Sequence, residues 1–264
     1  MDAKRSVIFL DIDGCLLAEG GGVAKEYYES FAWLAEYIRR ANIGECPQIR
    51  FCTGRNIPFV DAVALFMGRP DSSFVIVENG IAIYNPTTKN FELCPGITPE
   101  IKKIFKKILA RKIPAILKRY SSLFHWPGNL LSITLTLKIN SGLDLDLIRE
   151  NLAKQDLKRL VMKRIVRVIR SKHSVSIVPA HVNKGTAVMF LAEKENIDLG
   201  ASLGIGDGKA DIPFLERMKF VGCPQNADGF CKSYIAGRKH SGRISPFSYA
   251  QGVVDVIKWF TQTE

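Results

Sequence analysis

The sequence predicts an α/β fold: a Rossmann-like parallel-sheet core with an inserted α+β cap domain of order αββαββ. Three observations predict it. Both outer parts of the chain alternate apolar runs ending in Asp, Thr or Gly with amphipathic helical stretches, as parallel sheets wound with helices do. The middle instead carries strict two-residue alternation, as in SITLTLKI (132–139), the pattern of an antiparallel sheet covered on one face. Charge is also segregated: residues 83–180 hold 19 Lys and Arg against 6 Asp and Glu, a balance of +13 within a chain whose formal total is +11. The expected boundaries follow, with a core of 1–82 and 181–264 and a basic cap of 83–180.

The elements are read in order. In VIFLDIDGC (7–15) the run Val7–Leu10 is apolar on both faces and forms the first strand. A glycine-rich loop, EGGG (19–22), precedes an amphipathic helix over about 24–40. QIRFCT ends a second strand at Thr53, a helix runs over about 57–67, and SFVIVENG ends a third strand at Gly80. In the middle the pattern gives a basic helix (about 98–111), strands near 115–120 and 130–140, a helix (about 143–155), and the strands RIVRVIR and SVSIVP joined by a turn at 171–173. From Lys184 the core resumes: a helix to about 195, the strand SLGIGD, a helix over about 211–218, the strand KFVGC, and a last helix over about 249–261.

Composition narrows the class. At 264 residues, 47% hydrophobic and 24% charged, the chain has the make-up of a globular protein with a substantial core. No apolar run reaches the roughly 18 residues of a membrane span. The start, MDAKRSVIFLDIDG, lacks a small-residue cleavage site, so a cytoplasmic location is expected and no membrane partner. Six cysteines form no CxxC pair, and four histidines form no close ligand spacing; reduced thiols are expected rather than disulfides or zinc.

Four short motifs fall at the carboxyl ends of core strands or the starts of core helices, where open α/β sheets bind ligands. They are DIDG (11–14), TGR (53–55), NKG (183–185) and GDGKAD (206–211). Two acids one residue apart, Asp11 and Asp13, suit a turn or a catalytic pair, and taken singly each motif is common in turns. Taken together in this order, they resemble the haloacid dehalogenase superfamily of phosphotransferases. ENG (78–80), SIVPAHVNKG (176–185), VGCPQNAD (221–228) and SPFSYAQGV (245–253) are similar to its Cof-like subclass, whose cap is inserted between the second and third motifs, where the basic segment sits.

The resemblance implies a magnesium-dependent phosphatase of small phosphomonoesters. Asp11 would be the nucleophile, forming an aspartyl-phosphate, and Asp13 the general acid and base. Thr53 would hydrogen-bond a phosphoryl oxygen, and Lys184 would offset the crowded negative charge. Gly14 and Gly54 would let backbone N–H groups approach the phosphate. Arg55, Asn56 and Asn79 could line the substrate cavity. Mg2+ would be held by Asp11, the Asp13 backbone carbonyl and Asp207, with Asp211 supporting it directly or through water; the plain alternative for Asp211 is a helix N-cap. Cys15 and Ala210 stand where the family usually has Thr and Asn, which leaves the reaction class intact but puts fine positioning in question.

The partner so implied is a small anionic phosphorylated metabolite, of the sugar phosphate, phosphoglycolate or glycosyl-glycerate phosphate class. A phosphomutase, a phosphate-binding regulatory protein and a nucleotide phosphatase using the basic cap are the alternatives. The cap's charge reads as a solvated face, as a funnel for anions, or as a nucleic-acid surface. The last is disfavoured because Tyr120, Phe124 and Trp126 form one cluster without a stacking motif. Nothing in the residues sets the oligomeric state.

Overall fold

The computed structural model describes residues 6–18, 25–68, 73–138, 142–171 and 173–263; the glycine-rich loop expected at 19–22 lies outside them. The chain divides into two compact units, one of residues 1–92 and 184–264 and one of residues 93–183.

The first unit is built on a five-stranded, wholly parallel sheet. It uses β1 (Val7–Leu10) and β2 (Gln48–Phe51) from the first part of the chain, with α1 (Tyr28–Asn42) between them and α2 (Ile57–Phe66) after. A single bridge from Cys52 to Ile76 joins β3 (Val75–Val77) to that edge, and β3 pairs antiparallel with β4 (Ala82–Tyr84). That pairing keeps residues past 82 with the core, so the unit ends ten residues later than charge alone suggests. β5 (Phe91–Leu93) follows.

The second unit opens with α3 (Pro99–Arg111) and α4 (Ile113–Arg119) and continues with β6 (Leu123–His125), β7 (Ile133–Leu137), α5 (Leu145–Asn151), a π-turn, α6 (Lys158–Met162), β8 (Val166–Arg170) and β9 (Ser174–Pro179). The strands form an antiparallel sheet in the order β6-β7-β9-β8. Its alternation is the expected one: Ile133, Leu135, Val175 and Ile177 point to a core shared with Phe105, Ile108, Ile116 and Ile148, while Thr134 and Ser176 share a hydrogen bond at 3.0 Å on the other face. One expectation is overturned. Of the expected strand 115–120, residues 115–119 are helical, because Pro114 sits in the first turn, where its missing N–H costs nothing, and Ile113 and Ile116 bury one helical face. The first strand of this unit is β6 instead.

The core sheet is completed by β10 (Leu203–Ile205), β11 (Phe220–Cys223) and an edge strand the sequence did not signal, β12 (Gly242–Ile244), with α7 (Lys184–Glu195), α8 (Ile212–Leu215), α9 (Gly229–Ala236) and α10 (Tyr249–Thr263) between and after them. Helices cover both faces. A Cβ at Gly204 would meet Leu215, Met218 and Phe214, whereas one at Gly222 would lie 2.3 Å from Val256. Gly204 pairs with Val221, the neighbour of Gly222, so α8 and α10 lie on opposite sides. Burial on both faces explains the unbroken apolar runs of β1 and β10.

Candidate active site

The site residues predicted for the core lie within the first unit, past the ends of core strands or, for Lys184, at the start of α7. β1 delivers Asp11 in line with the sheet, its N–H bonded to Ile205 O on the neighbouring strand at 3.0 Å. β10 ends one residue before Gly206, so Asp207 comes out beside it. One oxygen each of Asp11, Asp207 and Asp211 lie within 4.8 Å of one another. A close set of hard oxygen donors of this kind suits a divalent cation.

Lys184, the first residue of α7, binds this cluster from below. Its Nζ lies 2.6 Å from Asp211 Oδ1 and 2.9 Å from Asp11 Oδ2, and all three side chains are buried, Lys184 and Asp211 at 3% and 1% exposure. Burial opposes the lysine's charge, but Asp11 and Asp211 outweigh it and hold Lys184 well above its ordinary value. Asp11 is pushed up to about 8, first by burial and then by Asp211 and Asp13, with Lys184 pulling the other way. Both values are raised, which favours the proton on Asp11 and the charge on Lys184.

Asp211 precedes α8 but does not cap it. Its Oδ2 instead accepts the backbone N–H groups of Asp207 (2.9 Å) and Gly208 (3.1 Å), closing the loop back on itself. The N-cap alternative is therefore set aside: Asp211 fixes the turn that carries Asp207, and both its oxygens already accept hydrogen bonds. Cys15, at the departure from the family pattern, is buried, and burial together with Asp207, Asp11 and Asp211 pushes its thiol well up. A thiol raised in this way is not primed as a nucleophile.

A model of haloacid dehalogenase-like hydrolases matches residues 131–235, a span that runs through Lys184, Asp207 and Asp211. Over that span the chain is similar to the haloacid dehalogenase-like hydrolases. It is 23% identical over 225 residues to a phosphoglycolate phosphatase of Methanobrevibacter smithii, covering 85% of this chain and 88% of that one. It is 32% identical over 98 residues to a phosphoglycolate phosphatase of Thermoplasma volcanium, a match spanning 37% of this chain and 41% of that protein's length. In fold it is similar to the sucrose-phosphatase of Synechocystis solved with sucrose and phosphate (TM-score 0.64, 18% identity, 98% and 99% of the two chains).

The other residues singled out divide into those near the cluster and those with different work. Thr53 is fully buried and its Oγ1 accepts the Arg55 N–H at 3.1 Å. Asn79 has left-handed backbone (φ 57°) and its N–H donates to Thr53 O at 3.0 Å. Its side chain covers Gly54, where a Cβ would approach within 3.0 Å.

Three of these residues have partners of their own. Arg55, read as a cavity residue, forks onto Asp13 with Nε and Nη2 at 2.7 and 2.5 Å and stacks over Phe59 at 4.3 Å. Asn56, also read as a cavity residue, is the N-cap of α2, its Oδ1 accepting the Phe59 N–H at 3.3 Å. The Gly14 N–H, expected to face a phosphate, donates to Leu17 O at 2.8 Å. Glycine is needed there for another reason: φ is 77°, and a Cβ would fall 2.0 Å from Asp207 Oδ2. The Asp13 carboxylate is not one of the three clustered acids, so only its backbone carbonyl remains for a cation.

Among the described residues no helix is long and apolar enough to cross a membrane, and all six cysteines are free thiols.

Proposed function

We propose that this hydrolase is a magnesium-dependent phosphatase of small phosphomonoesters that works through an aspartyl-phosphate on Asp11. The observation that carries this reading is the buried Asp11–Lys184–Asp211 arrangement with Asp207 beside it, at the carboxyl ends of β1 and β10. The donors fit the cation: all are oxygens, and two are carboxylates on abutting loops, Asp11 and Asp207. Bound magnesium supplies the hard positive charge that lets a carboxylate approach a phosphate dianion.

This chain's residues do the rest. Asp11 Oδ1 accepts the Ile12 N–H at 2.8 Å and Oδ2 faces Lys184, so the carboxylate is held in one orientation for in-line attack at phosphorus. Attack forms the Asp11–phosphorus bond and breaks the bond to the ester oxygen. Asp13, steadied by Arg55, gives a proton to the departing alcohol and then takes one from the water that hydrolyses the acyl phosphate. Lys184 keeps its charge throughout and limits repulsion between Asp11, Asp211 and the incoming phosphate. Thr53 and the Gly54 backbone N–H would contact phosphoryl oxygens.

Phosphoglycolate is favoured among substrates because two relatives carry that name, and the strongly basic middle segment suits an anion with a carboxylate beside its phosphate. A panel of phosphoglycolate, sugar phosphates, phosphoglycerates and nucleoside monophosphates, with and without Mg2+, tests this. Metal-dependent release concentrated on phosphoglycolate is expected; release without metal, or none from any member, would overturn the reading.

A further inference from the structure

We infer that Asn226 and Asp228 form a positioning clamp that sets the spacing between the two acid-bearing loops, an inference that rests on the cation site proposed above. The two residues follow β11 and flank the buried Ala227. Asn226 reaches one loop: its Nδ2 donates to Gly14 O at 2.7 Å, while its Oδ1 accepts the N–H of Tyr249, the first residue of α10, at 2.7 Å. Asp228 reaches the other: its N–H donates to Asp207 O at 2.8 Å, its Oδ2 accepts the Lys209 N–H at 3.1 Å, and its Oδ1 caps α9 through the Cys231 N–H at 2.7 Å.

The need for such a clamp is visible where the loops meet. Gly14 lies so close to Asp207 that no side chain fits between them, so any slip of one loop changes the separation of Asp11 from Asp207. Neither loop has regular secondary structure to hold it there. The clamp ties both to one three-residue segment anchored by β11, α9 and α10. A side-chain amide offers a donor and an acceptor from one short, planar group, and both are used here with the donor on a carbonyl and the acceptor on an N–H. Positions that orient ligating groups typically affect metal affinity or turnover about 10- to 100-fold when changed.

The test is Asn226→Asp in the full chain. The carboxylate still accepts from Tyr249 but cannot donate to Gly14 O. Mn2+ affinity by calorimetry, kcat, KM and melting temperature are measured together. A clamp predicts kcat lower and Mn2+ binding weaker by about 10-fold or more, with KM and melting temperature close to wild type. Asp228→Asn, which turns one of the two acceptors into a donor facing an N–H, is expected to show the same split and carries the test if the first variant does not fold. Wild-type kcat and Mn2+ affinity in either folded variant would overturn the clamp. A wild-type chain that binds Mn2+ but hydrolyses no ester would contradict the phosphatase reading, and the Mn2+ affinities alone would then decide on the clamp.

Discussion

Arg55 grips both carboxylate oxygens of Asp13 through a guanidinium fork, at 2.7 and 2.5 Å, with its own plane stacked over Phe59. The pair is about one-third exposed on either side, so its contribution to stability is small and its value lies in orientation. Lysine cannot reproduce a planar fork. Arg55→Lys is therefore expected to lower kcat about 10-fold, within the usual range for groups that orient a reacting one, with little change in melting temperature. Steady-state kinetics checks this; an unchanged kcat would show that Asp13 needs no such partner.

Lys184 is the only cation buried within the acid cluster among the described residues, touching Asp11 and Asp211 at 2.9 and 2.6 Å. Removing one partner of a buried ion pair leaves uncompensated charge, at a cost of about 3–5 kcal/mol. Lys184→Met is expected to abolish turnover and to lose stability of that order. The deficit should be smaller at pH 5 than at pH 8, since Asp11, raised to about 8, is protonated at the lower pH and leaves less uncompensated charge. Urea denaturation at both pH values measures it, and equal deficits would contradict the pairing.

The raised Asp11 value has two consequences of definite sign. Without a cation, the folded chain binds this proton up to about pH 8, whereas the unfolded chain releases it near 3.8. Stability of the cation-free protein should fall as pH rises through that window, since the unfolded state then binds fewer protons. Cation binding must displace the same proton, so Mg2+ affinity should rise with pH, by up to about tenfold per unit, and level off above about 8. Titration calorimetry at several pH values checks this, and an affinity independent of pH between about 6 and 8 would contradict it.

Gly14 tests the close approach of the two loops. In Gly14→Ala the added Cβ meets Asp207 Oδ2 at 2.0 Å and the backbone is held at φ 77°, a conformation L-residues other than Asn and Asp avoid. Asp207 must move, so divalent-cation affinity is expected to drop at least 10-fold, as when ligand-orienting groups are lost. Unaltered affinity would mean that Asp207 is not a ligand.

Much of this was legible in the sequence for physical reasons that can be named. Val7–Leu10 could only be a strand buried on both faces, and the acids after it had to emerge at the sheet's carboxyl edge. Asp207 and Lys184 stood at the end of a strand and the start of a helix, and their expected roles came from the resemblance. What escaped is what depends on contacts between distant segments. Residues 115–120 suggested a strand, whereas Pro114 sits in the first turn of a helix, Ile113–Arg119. β12 is three residues, Gly242–Ile244, too short to show a period. Arg55 follows Thr53 in sequence, yet its partner Asp13 is 42 residues away. Asn226 joins Gly14 across 212 residues, and no local pattern signals such a bond; the run VGCPQNAD stood out only through resemblance.

The measurement that bears most directly on the account is phosphate release from an aryl phosphate by wild type and by Asp11→Asn, each with Mg2+ and with chelator. The account predicts turnover by the wild type only with Mg2+, and none by the variant, which should remain folded because Asn keeps the shape of the buried side chain. Turnover by Asp11→Asn at the wild-type rate, or wild-type turnover indifferent to chelation, would contradict it.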